Sequence, residues 1–210
     1  MDIRELLLKD VMIMDLKAKS KDEVIDEMVH KYFEQGVIDD EKLYKADIIK
    51  REQESTTGIG DGIAMPHAKD KAVKRATVLF AKSEAGVDFD ALDGQPVQLF
   101  FMIAAPEGAN NTHLQALASL SSLLINPDLV AKLKQAKTPD EVQQLFSDAQ
   151  SAKEAQEKAD AEKESKTSDV PQDNGKRPYV VAVSACRNGI AHTYMGEAAL
   201  KKSAKEINID

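Results

Sequence analysis

The sequence predicts an α/β or α+β fold, in which helices surround a β-sheet. Residues 76–81 and 97–104 are short apolar runs that predict two strands. The second run is almost continuously apolar, as expected of a central strand that is covered on both faces. Elsewhere, apolar residues recur at helical spacing behind residues that favour a helix N-cap, and this pattern predicts the helices.

Two helices are predicted before the first strand. Ser20 and Glu23 form a capping box at the start of the first helix, and Gly36 is placed to end it. The second helix runs from about residue 40 to residue 53. Arg51 lies on its last turn and therefore leads directly into the next segment.

A glycine-rich stretch follows, and the prediction of function depends on it. Alternate glycines allow positive φ values and a close approach of the backbone to a ligand, and Asp61 between them is typical of a turn. Residues 63–65 predict a short strand that Pro66 ends. His67 is therefore expected just past a strand end, where functional side chains often lie. The stretch reads Glu54-Ser55-Thr56-Thr57-Gly58-Ile59-Gly60-Asp61-Gly62-Ile63-Ala64-Met65-Pro66-His67.

A second histidine is predicted at the start of a later helix. Residues 106–111 predict a loop, after which Thr112 and Gln115 form another capping box. His113 then stands at about the first helical position, where free backbone amides point outward. This end of a helix binds anions and disfavours an imidazolium cation, so we expect His113 to be neutral and able to donate one hydrogen bond.

The last part of the chain predicts a separate unit. Pro127 and Pro139 are each expected at the first position of a helix. Residues 147–169 contain no Val, Ile, Leu, Met or aromatic residue, so they cannot bury a core and predict a partly helical linker. A strand over residues 179–183, the loop with Cys186 and a helix follow. These roughly thirty residues are too few to fold alone, so we expect a longer parent protein.

The composition excludes several classes of function. The 210 residues are 42% hydrophobic, which is enough for a sizeable core in one or two domains. A net charge of −8 argues against nucleic acid as a partner, because phosphate backbones call for clustered Lys and Arg. The single cysteine excludes an intrachain disulfide and fits a reducing cytosol, so we expect a cytoplasmic protein.

Several chemistries are open to His67: nucleophile, general base, metal ligand or structural residue. The four histidines stand singly, without the spacing of a metal site, and His30 lies on the polar face of its helix as an expected surface residue. The order helix, glycines, strand also differs from the dinucleotide fingerprint. A metal hydrolase that uses His67 and His113 remains one alternative, and a solvent-facing His113 is another.

Phosphoryl chemistry fits the two histidines best. A neutral imidazole nitrogen can attack a phosphoryl group and carry it as a phosphoramidate, so we expect no metal and no cofactor. Cys186 lies where a strand turns into a helix, beside Gly189, a position that can activate a thiol and surround a phosphate with backbone amides. The alternative for Cys186 is a small buried hydrophobe at a strand end.

Residues 57–67 resemble the phosphorylation-site signature of enzyme IIA of the fructose–mannitol class of the bacterial phosphoenolpyruvate-dependent sugar phosphotransferase system. Residues 182–195 resemble the start of a fructose-class enzyme IIB domain. The two resemblances imply a IIA domain over residues 1–150, an Ala/Lys/Glu-rich linker over 151–177 and an N-terminal fragment of a IIB domain over 178–210. A membrane domain, enzyme IIC, would follow in the parent chain and would make it membrane-associated.

The resemblance implies a mixed β-sheet flanked by helices on both faces, and a phosphoryl relay in sugar uptake. The phosphocarrier protein HPr would phosphorylate Nε2 of His67, which would pass the group to Cys186 and so to the sugar. Fructose is the family's default sugar, and mannose or a mannosyl conjugate is an alternative. His113 would hydrogen-bond the phosphoryl oxygens, and Arg51 would balance their charge.

Two features bear on the choice between relay and regulation. The IIB loop of the family usually reads Cys-Pro-Thr, whereas Arg187 and Asn188 follow Cys186 here. Loss of the proline loosens the loop and loss of the threonine removes a hydroxyl donor, while Arg187 adds a cation that could bind phosphate. The alternative function is that of the nitrogen-related IIA proteins, which carry a similar histidine motif and signal through protein contacts. A downstream cysteine acceptor has no use in such a protein, so Cys186 favours the relay.

Overall fold

The structure is a computed structural model that describes residues 3–166 and shows a five-stranded mixed sheet with helices on both faces. The predicted fold class is therefore confirmed, while the strand, loop and helix expected over residues 178–210 lie outside the described residues. The strands are β1 (Gly58–Gly60), β2 (Ile63–Ala64), β3 (His67–Asp70), β4 (Thr77–Val87) and β5 (Val97–Pro106). The helices are α1 (Lys21–Glu34), α2 (Glu41–Glu54), α3 (Asn110–Leu124), α4 (Pro127–Gln135) and α5 (Pro139–Lys166).

Strand β5 is the central strand that its apolar sequence predicts. It pairs antiparallel with β4 along one edge. Along its other edge β2 and β3 lie end to end, both parallel to β5, and the break between them falls at Met65 and Pro66. Strand β1 pairs antiparallel with β2 as a hairpin. The predicted strand at residues 63–65 is thus present, but β3, which begins at His67 itself, is an element that the sequence did not predict.

The sheet separates two apolar clusters, one on each face. Side chains of a strand point alternately to opposite faces, so each cluster takes every second residue of β5. Helices α1 and α2 cover one face, and helices α3, α4 and α5 cover the other. Phe100, Met102 and Ala104 face α1 and α2, whereas Leu99, Phe101 and Ile103 face the other three helices.

The helix starts follow local capping chemistry in all cases but one. The Ser20 side chain caps α1 by accepting from the Glu23 amide, and prolines occupy the first positions of α4 and α5. Helix α3, however, begins at Asn110 rather than at Thr112, with Ala109 as its N-cap and no capping side chain. The predicted capping box is therefore wrong. A turn at Gly108, with φ of 87°, redirects the chain immediately after β5 and starts the helix earlier.

Helix α5 continues to Lys166, so the first part of the predicted linker is helical.

Over the described range, no single helix is both long and apolar enough to cross a membrane. The segments His113–Leu124 and Pro127–Gln135 satisfy these criteria only as a pair, and the pair is bent by 92° at its break.

Candidate functional site

The break between β2 and β3 orients the imidazole of His67. Pro66 offers no amide hydrogen, but its carbonyl oxygen accepts from the Ile103 amide at 2.9 Å and keeps the chain against β5. His67 then starts β3 opposite Ile103, and its Nδ1 lies 2.7 Å from the carbonyl oxygen of Met65. Since a carbonyl oxygen can only accept, Nδ1 carries the ring proton. The bond to Met65 therefore leaves Nε2 unprotonated, with its lone pair directed away from the strand.

Arg51 brings a positive charge to this lone pair. Its Nε donates to Nε2 of His67 at 3.1 Å. The Nη1 group of the same guanidinium donates to the carbonyl oxygen of Ser55 at 3.0 Å. This second bond ties the guanidinium to the chain just beyond α2, so Arg51 is fixed from both sides. The position of Arg51 on the last turn of α2 agrees with the sequence prediction.

The hydrogen bonds to Met65 and Arg51 and the burial of the ring all affect the pKa of His67. Burial, which penalises the charged form, lowers the pKa of His67 to about 4. The hydrogen bond to Met65 opposes this lowering, while the positive charge of Arg51 and the neighbouring His113 contribute to it, and the value of about 4 is the net result. His67 is therefore neutral near pH 7, in the tautomer whose unprotonated nitrogen is Nε2.

We expect the imidazole of His67 to remain neutral down to about pH 5, because its pKa of about 4 lies below the ordinary value of 6.5. Nitrogen-15 NMR of the histidine rings across pH 4.5–8 measures this directly. A titration of His67 centred near 6.5 would contradict the buried, Arg51-contacted geometry.

His113 lies against His67 from the first turns of α3. The two ring centroids are 5.4 Å apart, with an angle of 47° between the ring planes. Because α3 begins at Asn110, His113 occupies the fourth helical position, and its amide is already bonded to the carbonyl oxygen of Ala109 at 3.1 Å. The predicted position at the first residue of the helix is thus wrong, and the backbone amide of His113 is not free.

Two properties of the His113 side chain bear on its predicted role. Burial, then the charges of Lys69 and Arg51, lower the pKa of His113, so the ring favours the neutral form. Its Nε2 is buried and has no hydrogen-bond partner among residues 3–166. A buried polar atom without a partner is uncommon and calls for an explanation, and a ligand oxygen would satisfy it.

The glycines next to the site form a tight turn and allow a close contact between two parts of the chain. Asp61 and Gly62, with φ of 55° and 76°, form the two-residue turn of the hairpin between β1 and β2. A Cβ atom at Gly58 would lie 2.8 Å from the Cα atom of Ala91, so this position needs glycine for a close chain approach. The expected turn at Asp61 is confirmed, and the close approach at Gly58 is to the backbone of Ala91.

The structure also shows residues near the site that the sequence analysis missed. Lys69 lies two residues after His67 on β3 and so shares its face of the strand, a signal that the strand period alone would have given. Glu52 is buried beside Arg51 and bonds to Thr57.

The remaining predicted residues lie away from this site. His30 is exposed, as expected, with its Nδ1 2.7 Å from Oε1 of Glu41. Within the described part of the chain, no group of three or more His, Cys, Asp or Glu residues is placed to hold a metal ion. Cys186 lies outside the described residues.

The chain is similar to proteins of one phosphotransferase family. The family model described as "Phosphoenolpyruvate-dependent sugar phosphotransferase system, EIIA 2" matches residues 5–149. The PTS system fructose-specific EIIABC component of Bacillus subtilis is 43% identical over 210 residues, covering 100% of this chain and 32% of that protein. This chain therefore spans about a third of that relative's length.

Two shorter relatives are covered almost completely. The PTS system fructose-specific EIIA component of Haloferax volcanii is 35% identical over 147 residues, which are 70% of this chain and 96% of that protein. The crystal structure of the nitrogen regulatory protein IIA-Ntr from Neisseria meningitidis has a TM-score of 0.64 and 28% identity, covering 69% of this chain and 98% of that chain. The similarity thus includes both a sugar-specific component and a regulatory protein.

Proposed function

The chain belongs to the EIIA 2 family of the phosphoenolpyruvate-dependent sugar phosphotransferase system, and we propose that His67 is the residue that receives and passes on the phosphoryl group. Members of this family transfer phosphoryl groups during sugar uptake. In the proposed relay HPr is the donor and Cys186 of the enzyme IIB domain is the acceptor. The sugar is fructose, which is the sugar named for the relatives from B. subtilis and H. volcanii.

The proposal is supported by the unprotonated Nε2 of His67, which at rest accepts a hydrogen bond from Nε of Arg51 and becomes the nucleophile when that N–H turns to a phosphoryl oxygen. Its lone pair attacks the phosphorus atom of the donor, so that an N–P bond forms as the bond between phosphorus and the donor nitrogen or oxygen breaks. Nδ1 keeps its proton throughout and holds the Met65 carbonyl, so the step needs no separate base. Arg51, already 3.1 Å from Nε2, and the unpartnered Nε2 of His113 then meet the phosphoryl oxygens.

The rest of the relay depends on the longer parent protein. We place the IIA domain at residues 1–150, the linker at 151–177 and the start of the IIB domain at 178–210. The B. subtilis relative, whose name combines components A, B and C, is similar over the whole of this chain. In such a parent, Cys186 passes the phosphoryl group to the sugar while enzyme IIC carries the sugar across the membrane, with the IIA domain on the cytoplasmic side.

A regulatory role is the second candidate. The similarity to a nitrogen regulatory protein over 69% of this chain favours it. In that case His67 would still be phosphorylated, but the phosphoryl group would change a protein contact instead of moving to a cysteine. The fate of the group therefore separates the two functions.

Incubation of the full chain with phosphoenolpyruvate, enzyme I and HPr tests the proposal. We expect the mass of one acid-labile, alkali-stable phosphoryl group, mapped to His67 by fragmentation. No adduct in the presence of active partners would contradict it. A parent-length protein that then phosphorylates fructose through Cys186 supports the relay, whereas a stable phosphohistidine with no transfer supports the regulatory role.

We expect His113→Ala to weaken phosphorylation of His67 without abolishing it, or to block onward transfer. The reason is the buried Nε2 of His113, which loses its proposed contact with a phosphoryl oxygen while the nucleophile is untouched. The expected loss is about 100-fold in a single-turnover rate, at the low end for removal of one hydrogen-bond donor, and it is measured separately for the first and second transfers. Unchanged rates for both steps would show that His113 only fills space beside His67.

A further inference from the structure

Glu52 is a buried carboxylate that immediately follows Arg51 in the sequence. The residue is 9% exposed and its side chain 5%. Its Oε2 accepts from the backbone amide of Thr57 at 3.2 Å, and its Oε1 accepts from the hydroxyl of Thr57. A buried charge is stable only when it is paired and hydrogen-bonded, so these contacts determine where the Glu52 side chain can lie.

Lys21, the first residue of α1, supplies the opposite charge. Its Nζ lies 3.0 Å from Oε2 of Glu52, 3.2 Å from Oδ2 of Asp90 and 4.8 Å from the ring centroid of Phe89. Burial acts to lower the pKa of Lys21, but Glu52 and then Asp90 outweigh it and raise this pKa. One ammonium group therefore joins the start of α1, the end of α2 and the loop that contains Asp90.

The contacts of Glu52 continue to both nitrogens of the His67 ring. The Thr57 carbonyl oxygen accepts from the Met65 amide at 3.0 Å, and the Met65 carbonyl oxygen accepts from Nδ1 of His67. On the other side, Arg51 precedes Glu52 on the last helical turn and donates to Nε2 of His67. Glu52 is thus connected to Nδ1 of His67 by the hydrogen bonds of Thr57 and Met65. It is connected to Nε2 through its chain neighbour Arg51.

We propose that Glu52, paired with Lys21, is a positioning residue for phosphoryl transfer at His67. It holds Thr57 against the end of α2, and thereby sets the distance between the Arg51 guanidinium and the Met65 carbonyl that bind the two ring nitrogens. This role rests on the proposed function of His67 and adds to it. Glu52 itself touches neither the imidazole nor the transferred group.

The test uses Glu52→Gln in the full chain, with Glu54→Gln as the matched control, because Glu54 is an exposed residue of the same helix end. Two quantities are measured: the single-turnover rate of phosphorylation by phospho-HPr, and the ring tautomer of His67 by nitrogen-15 NMR at neutral pH. We expect Glu52→Gln to slow the transfer roughly 10- to 100-fold and to give a mixture of tautomers. Glu54→Gln should leave both unchanged.

A wild-type rate and a single Nδ1–H tautomer in Glu52→Gln would overturn the proposal. Should that variant fail to fold, Lys21→Met keeps the Thr57 contacts but removes the paired charge, and an unchanged rate and tautomer there would overturn it equally. The variant that combines Glu52→Gln with Lys21→Met should lose less of the transfer rate than the two single losses combined, because it leaves no buried charge unpaired. The reference is the wild-type protein, which should be phosphorylated at His67. If the wild-type protein is not phosphorylated there, the proposed function of His67 is wrong, and the role of Glu52 is then not the cause.

Discussion

Replacing His67 with alanine is expected to abolish phosphorylation by HPr while the fold remains intact. The change removes Nε2 and its lone pair, which is the proposed nucleophile. Alanine places no nucleophilic atom at this position. The fold should survive because His67 belongs to neither apolar cluster and its strand is held by backbone pairing with β5. The loss of two side-chain hydrogen bonds costs about 1–3 kcal/mol of the free energy of unfolding.

Intact-protein mass spectrometry measures the loss of phosphorylation, and thermal unfolding measures whether the fold is retained. His30→Ala is the matched control, since His30 is exposed and far along the chain from the site. That variant should be phosphorylated like the wild-type protein. If His67→Ala still acquires an acid-labile phosphoryl group, another residue is the acceptor and the proposed relay through His67 is wrong.

Elements governed by local chemistry could be predicted from the sequence. Ser20 caps α1 because its hydroxyl reaches an amide three residues away, and the apolar run of β5 indicates burial on both faces. The position of Arg51 at the end of α2 follows from the same local reasoning. These features depend on neighbours within a few residues, which the sequence shows directly.

The errors arise where distant residues decide the structure. Strand β3 has few apolar residues and exists because its backbone pairs with residues 103–106 of β5. The start of α3 depends on how the chain leaves β5 at Gly108, which a capping pattern cannot show. The close contact of Gly58 with Ala91 is likewise absent from any local pattern, because the two residues meet only in the folded chain.

The site combines both kinds of feature. His67 and His113 are singled out by residue type and Arg51 by the family resemblance, and the three lie together in the structure, with ring centroids of the histidines 5.4 Å apart. The tautomer of His67 depends on a hydrogen bond to Met65, only two residues away, yet it needs the break at Pro66 to form. The lowered pKa of His67 depends mainly on burial in the folded chain, and no local pattern contains that information.

Replacing Arg51 with methionine is expected to slow phosphorylation of His67 about 100- to 1,000-fold. Methionine keeps much of the length of the side chain but removes the charge that would meet the phosphoryl oxygens. Loss of the positive neighbour also favours protonation of the imidazole, so the pKa of His67 should rise from about 4. Single-turnover kinetics and nitrogen-15 NMR measure the two effects, with Lys50→Met, an exposed neighbour, as the control.

Arg51→Lys separates charge from geometry. A lysine retains the positive charge, so the pKa of His67 should stay low, but it lacks the planar fork that bonds Ser55 and His67 at the same time. We therefore expect slow transfer with a nearly unchanged pKa. If Arg51→Lys is as fast as the wild-type protein, charge alone suffices. If Arg51→Met is equally fast, Arg51 has no part in the transfer, and the bond to Nε2 only orients the resting imidazole.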